Sequence, residues 1–249
     1  AGPVYFGTLL FVFLIFSISE LSKTGRSAHI KLPSIWFFVP GLLVYLLIFY
    51  GSTSGNIFGM LALSSLFSLL LIAHLSIKKG GVVFTKSFFA LLPVFYLAIP
   101  LALLNYFFYL PSGRTTITNE IIVGYFIIIW VNDTFAYLTG KLFGKHKMFV
   151  SVSPNKTWEG TIGGLVSGIA GAWGISFLSG EMNFVQWSLL ALVTIIFGTF
   201  GDLFESLLKR KAGLKDSGHI LPGHGGLLDR LDSILISSPF VFLYLYFIA

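Results

Sequence analysis

The polar residues of this chain gather in a few places, and the densest is KDSGHILPGHGGLLDRLDS, residues 215–233. Asp229 and Asp232 lie one turn apart where a helix begins. The preceding His224-Gly225-Gly226 permits close backbone approach and offers N–H donors that favour a phosphate at a helix N-terminus. Upstream, GTFGDLFESLLKR places Asp202, Glu205 and Lys209 at i, i+3 and i+7, on one helical face. Carboxylates flanked by bases suit a hard cation that shares its shell with phosphate oxygens, which points to Mg²⁺. Asp202 and Asp229 are then its ligands, with Glu205 and Asp232 in secondary positions. Lys209, Arg210, Lys215 and Arg230 neutralise phosphate charge, and Asp216 joins this catalytic group. Zinc is disfavoured because His219 and His224 have no cysteine partners in a chain without cysteine. The structural alternative for Asp202 is an internal salt bridge to Lys209 or Arg230.

A second cluster is WVNDTFAYLTGKLFGKHK followed by SVSPNKTWEG. Asp133 falls inside an apolar run, and an acid there either positions a ligand or is satisfied by Asn132 or Thr134. Ser153-Pro154 reads as an N-cap followed by the first helical residue, putting Lys156, Thr157 and Glu159 in a first helical turn. A lysine there opposes the helix dipole, so Lys156 is expected to serve an anion. His224, Gly225, Gly226, Arg230, Asp133, Ser153, Lys156, Thr157 and Glu159 form the substrate-binding set. GKLFGKHK lacks the Ser or Thr that a P-loop requires. Gly160, Gly164 and Gly168, and beside them Gly163, Ser167 and Gly171, are spaced for close helix packing in lipid.

The elements that must carry these residues are membrane helices. Of the 249 residues, 55% are hydrophobic and only 10% charged, against roughly 25% charged in soluble domains. Eight apolar runs are long enough to span a bilayer: about 4–19, 34–50, 57–77, 83–110, 120–138, 160–179, 184–208 and 227–248. The fourth holds Pro93 and Pro100 and is a candidate for a kink or a break. Lys and Arg alternate between rich and poor loops along these runs, which places the rich ones in the cytoplasm and both chain ends on the far side. The same rule accounts for the net charge of +6 without nucleic acid. The expected architecture is an all-α polytopic bundle, with residues 1–110 as N-terminal membrane helices and 111–249 as a catalytic region facing the cytoplasm. Residues 202–232 hold ten of the 26 charged residues, five of each sign. A merely solvated loop explains the bases but not acids within helix ends.

Residues 206–232, SLLKRKAGLKDSGHILPGHGGLLDRLD, resemble the signature of the CDP-diacylglycerol synthases, or phosphatidate cytidylyltransferases. DTFAYLTGKLFGK (133–145) and SPNKTWEG (153–160) are similar to the same family, so the likeness is close in the C-terminal half and limited to helix pattern before it. The resemblance implies CTP and phosphatidic acid as substrates, CDP-diacylglycerol and pyrophosphate as products, and Mg²⁺ at Asp202 and Asp229. It also implies K⁺ as a second ion, a homodimer, a cell-membrane location and a further helix before Ala1. A CTP-dependent polyprenol kinase shares parts of the middle cluster, but the full K-D-S-G…P-G-H-G-G…D-R-x-D run argues against it. An ion-coupled transporter predicts charges spread through the bilayer and inverted repeats, whereas these charges gather at one face.

Overall fold

Long apolar runs in lipid must satisfy their backbone internally, so they fold as helices. The computed structural model describes residues 2–27, 35–54, 56, 89–108, 119–214, 217–218 and 225–248. In chain order its elements are α1 (Pro3–Ser27), α2 (Ile35–Ser54), α3 (Phe89–Phe108), α4 (Glu120–Phe143), β1 (Lys147–Phe149), β2 (Ser153–Thr157), α5 (Trp158–Leu178), α6 (Phe184–Lys211) and α7 (Leu228–Ile248). All seven helices are long and apolar enough to cross a membrane, and the chain is a multi-pass helical membrane protein. The third apolar run, 57–77, lies outside the described residues. Within the fourth run, α3 stays helical past both prolines. Pro93–Ala98 widens to a π-helical turn, Ile99–Leu103 is α-helical, and Leu104–Phe108 tightens to 3₁₀. Proline lacks the N–H of a regular α ladder, and such a local change of pitch accommodates its loss.

The helices fall into two compact units that interleave along the chain. One comprises residues 1–106 and 208–231, the other 107–207 and 232–249. Residues 208–231 thus group with the N-terminal helices.

In the first unit α1 packs on α2 and α3. Leu10, Leu14, Ile18, Val44, Ile48, Leu97 and Leu101 fill its interior. Gly7 allows close approach: a Cβ there would strike the Phe49 ring and crowd Asn105 Oδ1. The Gly7 carbonyl accepts a 2.7 Å hydrogen bond from the Tyr45 hydroxyl, which in turn accepts from Asn105 Nδ2 at 3.3 Å.

In the second unit α4 lies along α5, and glycines make the seam. A Cβ on Gly160 or Gly164 would press into Ala136, and one on Gly163 into Thr139. Gly168 faces Ile195 of α6, and Gly171 is in ordinary contact with Val131. The four-residue glycine spacing is therefore a packing device within the chain. Gly124 seats the fully buried Trp187. Tyr125 bonds Ser237 at 2.6 Å, and Phe197 stacks on Phe240 with centroids 3.5 Å apart.

Between α4 and α5 the chain turns through the antiparallel pair β1–β2. This corrects the expected helix start at Ser153-Pro154. Ser153–Thr157 is a strand, and α5 begins only at Trp158. Pairing of Thr157 with Lys147, and the Trp158 N–H donated to His146 O, hold this segment extended. Thr157 is the N-cap, its side chain accepting from Gly160 N at 3.1 Å. Thr157→Ala is expected to lower stability by about 1 kcal/mol, with Thr157→Ser restoring most of it. Thermal unfolding in detergent checks both variants.

Candidate active site

In the second unit, α4, the β1–β2 hairpin and α6 surround a cavity of about 650 Å³, with Ser233 of α7 at its wall. That volume is typical of small-molecule sites. Its polar lining includes Asn132, Asp133, Lys141, Lys147, Ser153, Asn155, Lys156, Thr157 and Asp202. Four sequence-expected site residues from separated segments thus converge with Asp202: Asp133, Ser153, Lys156 and Thr157.

The local fold explains how. The strand β2 delivers Lys156, whose Nζ lies 2.5 Å from Asp202 Oδ2. The counter-charge of Asp202 is therefore Lys156, not Lys209 or Arg230, the partners named in the structural alternative. Lys156 stands just before the N-cap of α5 rather than within its first turn, and the carboxylate of Asp202 offsets the positive end of the helix dipole beside it. Asp202 Oδ1 also accepts from Ser206 Oγ, one turn along α6, at 3.3 Å. Asp133 accepts from Asn132 Nδ2 at 3.0 Å, the local satisfaction anticipated for it, yet its side chain stays exposed on the cavity. Gly201 lets α7 press against α6: a Cβ there would strike the Asp232 carbonyl. This close approach brings Asp232 near enough for Asp133, Asp202 and Asp232 to feel one another's charge, with Lys156 as the opposing cation.

Such an arrangement of hard oxygen donors fits a divalent cation. Among the described residues no three His, Asp or Glu side chains close on one ion position. Two carboxylates facing a cavity nevertheless suit Mg²⁺, which completes its shell with water and substrate phosphate. Glu205 is buried one turn beyond Asp202. Glu159, in the first turn of α5, is held by the His146 N–H and lies 2.6 Å from His146 Nδ1, so it fixes the hairpin to the helix.

The remaining described candidates belong to the first unit. Asp229 Oδ1 pairs with Lys209 Nζ at 2.7 Å. The same carboxylate accepts from Ser217 N at 3.1 Å and Gly226 N at 2.8 Å. Gly225 has φ of 80°, a left-handed conformation that glycine adopts without strain. Arg210 reaches back to the Leu214 carbonyl at 3.5 Å, and Arg230 is exposed. At the end of α6, Gly213 (φ 70°) follows the last turn. The Leu214 N–H bonds Lys209 O and the Gly213 N–H bonds Arg210 O, a Schellman cap that ends the helix. Lys215, Asp216, His219 and His224 lie outside the described residues.

Glu20 is the residue that sequence reasoning missed. It is 0% exposed, and its carboxylate accepts from Ser217 Oγ at 3.3 Å, Leu227 N at 3.1 Å and Leu228 N at 2.8 Å. Side chains at Gly218 or Gly226 would collide with it. Of the N–H groups expected to be open for phosphate, that of Gly226 is taken by Asp229, and the next two, of Leu227 and Leu228, are taken by Glu20. Only the presence of an acid so near the first apolar run offered a signal.

The chain is similar to known proteins along nearly its whole length. The model of the cytidylyltransferase family matches residues 1–248. A phosphatidate cytidylyltransferase of Staphylococcus haemolyticus is 37% identical over 238 residues, covering 93% of this chain and 86% of that protein. The protein of that name from Staphylococcus saprophyticus is 35% identical over 237 residues, with 93% and 86% covered. That of Staphylococcus aureus (strain COL) is 34% identical over 239, with 94% and 88% covered. With nearly its whole length matched by the model, this chain belongs to the cytidylyltransferase family.

Proposed function

We propose that this protein transfers CMP from CTP to phosphatidic acid, giving CDP-diacylglycerol and pyrophosphate at the cytoplasmic face of a cell membrane. The observation that carries this reading is the polar cavity in which Lys156, Asp202 and Asp133 meet within a bundle of membrane-spanning helices. The names of the similar staphylococcal proteins supply the lipid substrate.

In the reaction a phosphate oxygen of phosphatidic acid attacks the α-phosphorus of CTP. The bond from that phosphorus to the oxygen bridging to the β-phosphate breaks, and pyrophosphate leaves. Such transfers need positioning and charge neutralisation more than covalent help from the protein. Lys156, beside Lys141 and Lys147 at the cavity, holds phosphate oxygens. Asn132 and Thr157 orient them through hydrogen bonds, and the glycine seam of α4 and α5 keeps the wall rigid. Asp202 and Asp133 are proposed to hold Mg²⁺, with Glu205 and Asp232 as secondary acids, and Asp229 is proposed as a ligand by resemblance alone. The ion supplies Lewis-acid polarisation of the phosphoryl oxygens. K⁺ as a second ion and a homodimeric assembly complete the proposal, both by resemblance.

Purified protein given radiolabelled CTP, phosphatidic acid and Mg²⁺ should form a lipid-soluble cytidine product, with pyrophosphate released in equal amount. Transfer of the γ-phosphate to an isoprenoid alcohol would replace this reading with the kinase.

A further inference from the structure

We infer that Glu20 is a positioning residue for this reaction, tying Ser217 to the start of α7 so that Asp229 is fixed for catalysis. The inference rests on the CMP-transfer reading and adds a residue to it from the first membrane helix, far from the signature in sequence.

The geometry is specific. Ser217 serves both acids at once: its hydroxyl donates to Glu20 and its N–H to Asp229. At the other end of the loop three successive N–H groups divide in the same way. Gly226 donates to Asp229, while Leu227 and Leu228 donate to Glu20. Glu20 therefore ties Ser217 to Leu227 and Leu228, and Asp229 is seated between Ser217 and Gly226. The glycines at 218 and 226 leave the room that the carboxylate occupies. Its three donors are neutral, and two of them, Leu227 and Leu228, stand at the N-terminus of α7, where the helix dipole favours a negative charge. Lys209 provides the cation for Asp229.

A carboxylate is needed here, not only a side chain of that size. In Glu20→Gln one acceptor oxygen becomes an NH₂ group facing backbone N–H donors, so at least one bond turns into a donor–donor contact. The loop then shifts, Asp229 with it, and small misplacements of a reacting constellation cost rate by about 100-fold. The experiment compares wild type, Glu20→Gln and Glu20→Asp as full chains in detergent, each normalised to folded protein. Glu20→Gln should lower kcat for lipid-soluble cytidine by about 100-fold with KM for CTP within about twofold, the pattern of a lost transition-state interaction. Glu20→Asp, which keeps the charge, should recover part of the rate. A merely structural role would lower the yield of folded protein but leave kcat per folded molecule unchanged, and that result overturns the inference. If Glu20→Gln does not accumulate, Ser217→Ala carries the test: a lowered kcat supports the inference and a wild-type kcat overturns it. A wild-type protein that forms no cytidine lipid overturns the CMP-transfer reading and the inference with it. An active wild type with a fully active Glu20→Gln overturns the inference alone.

Discussion

Asp202→Asn is expected to reduce formation of CDP-diacylglycerol by about 10²–10³-fold, the scale seen when one preorganised electrostatic group is removed from a site. The substitution keeps the side chain's shape and its hydrogen bond from Ser206. What it removes is the negative charge opposite Lys156 and facing the cavity. Because Asp202 is only half-buried, the folded state should survive, and the melting temperature in detergent should change little. Lys156→Met should also impair activity, and the double variant should lose far less than the product of the two effects, since the partners act as a unit. Full activity in Asp202→Asn would remove Asp202 from the site. Wild-type activity in Lys156→Met would reduce the pair to a structural salt bridge.

The second large effect concerns a residue with no side chain. Gly201→Val should both destabilise the protein and abolish product formation. Even a Cβ at this position would overlap the Asp232 carbonyl oxygen and lie 3.1 Å from its carbon and 3.2 Å from the Ser233 Cα. Those are backbone atoms of α7, which cannot swing aside as a side chain can. Overpacking of this kind costs about 1–3 kcal/mol even where the structure adjusts. Any adjustment must move α7 away from α6, carrying Asp232 away from Asp202 and Ser233 from the cavity wall. Gly198, one turn earlier, is the control. A Cβ there meets Ser233 Cβ at 3.4 Å, an ordinary contact, so Gly198→Ala should be nearly silent in both melting temperature and rate. A Gly201→Val protein that melts and turns over like wild type would show that the close approach of these helices does not matter.

Much of this architecture was legible in the sequence, for identifiable reasons. Membrane helices announce themselves by composition, and the four-residue spacing of Gly160, Gly164 and Gly168 carries its own period. Asp133 and Asp202 stood out because an acid within an apolar run is costly without a partner. The partner itself was not legible. Lys156 was expected to serve an anion, but nothing local says that the anion is Asp202, 46 positions away, and the i, i+7 spacing to Lys209 offered a nearer candidate. The hairpin was missed because strands of three and five residues show no alternation long enough to read, while Ser-Pro imitates a helix start. Glu20 was passed over because an apolar run is cut at its first charge, whereas α1 continues through Glu20, Lys23 and Arg26. Its hydrogen-bond partners lie 197 to 208 residues downstream, beyond any local pattern.

That separation bears on how the protein is made. Chains emerge from the ribosome N-terminus first, at about 5–20 residues per second. Glu20 is therefore synthesised about 10–40 seconds before Ser217, Leu227 and Leu228. Throughout that interval an acid destined for complete burial has none of its eventual donors. It must be sheltered by water at the bilayer surface, by protonation or by the insertion machinery. A nascent chain stalled before residue 217 carries the same unmatched acid indefinitely.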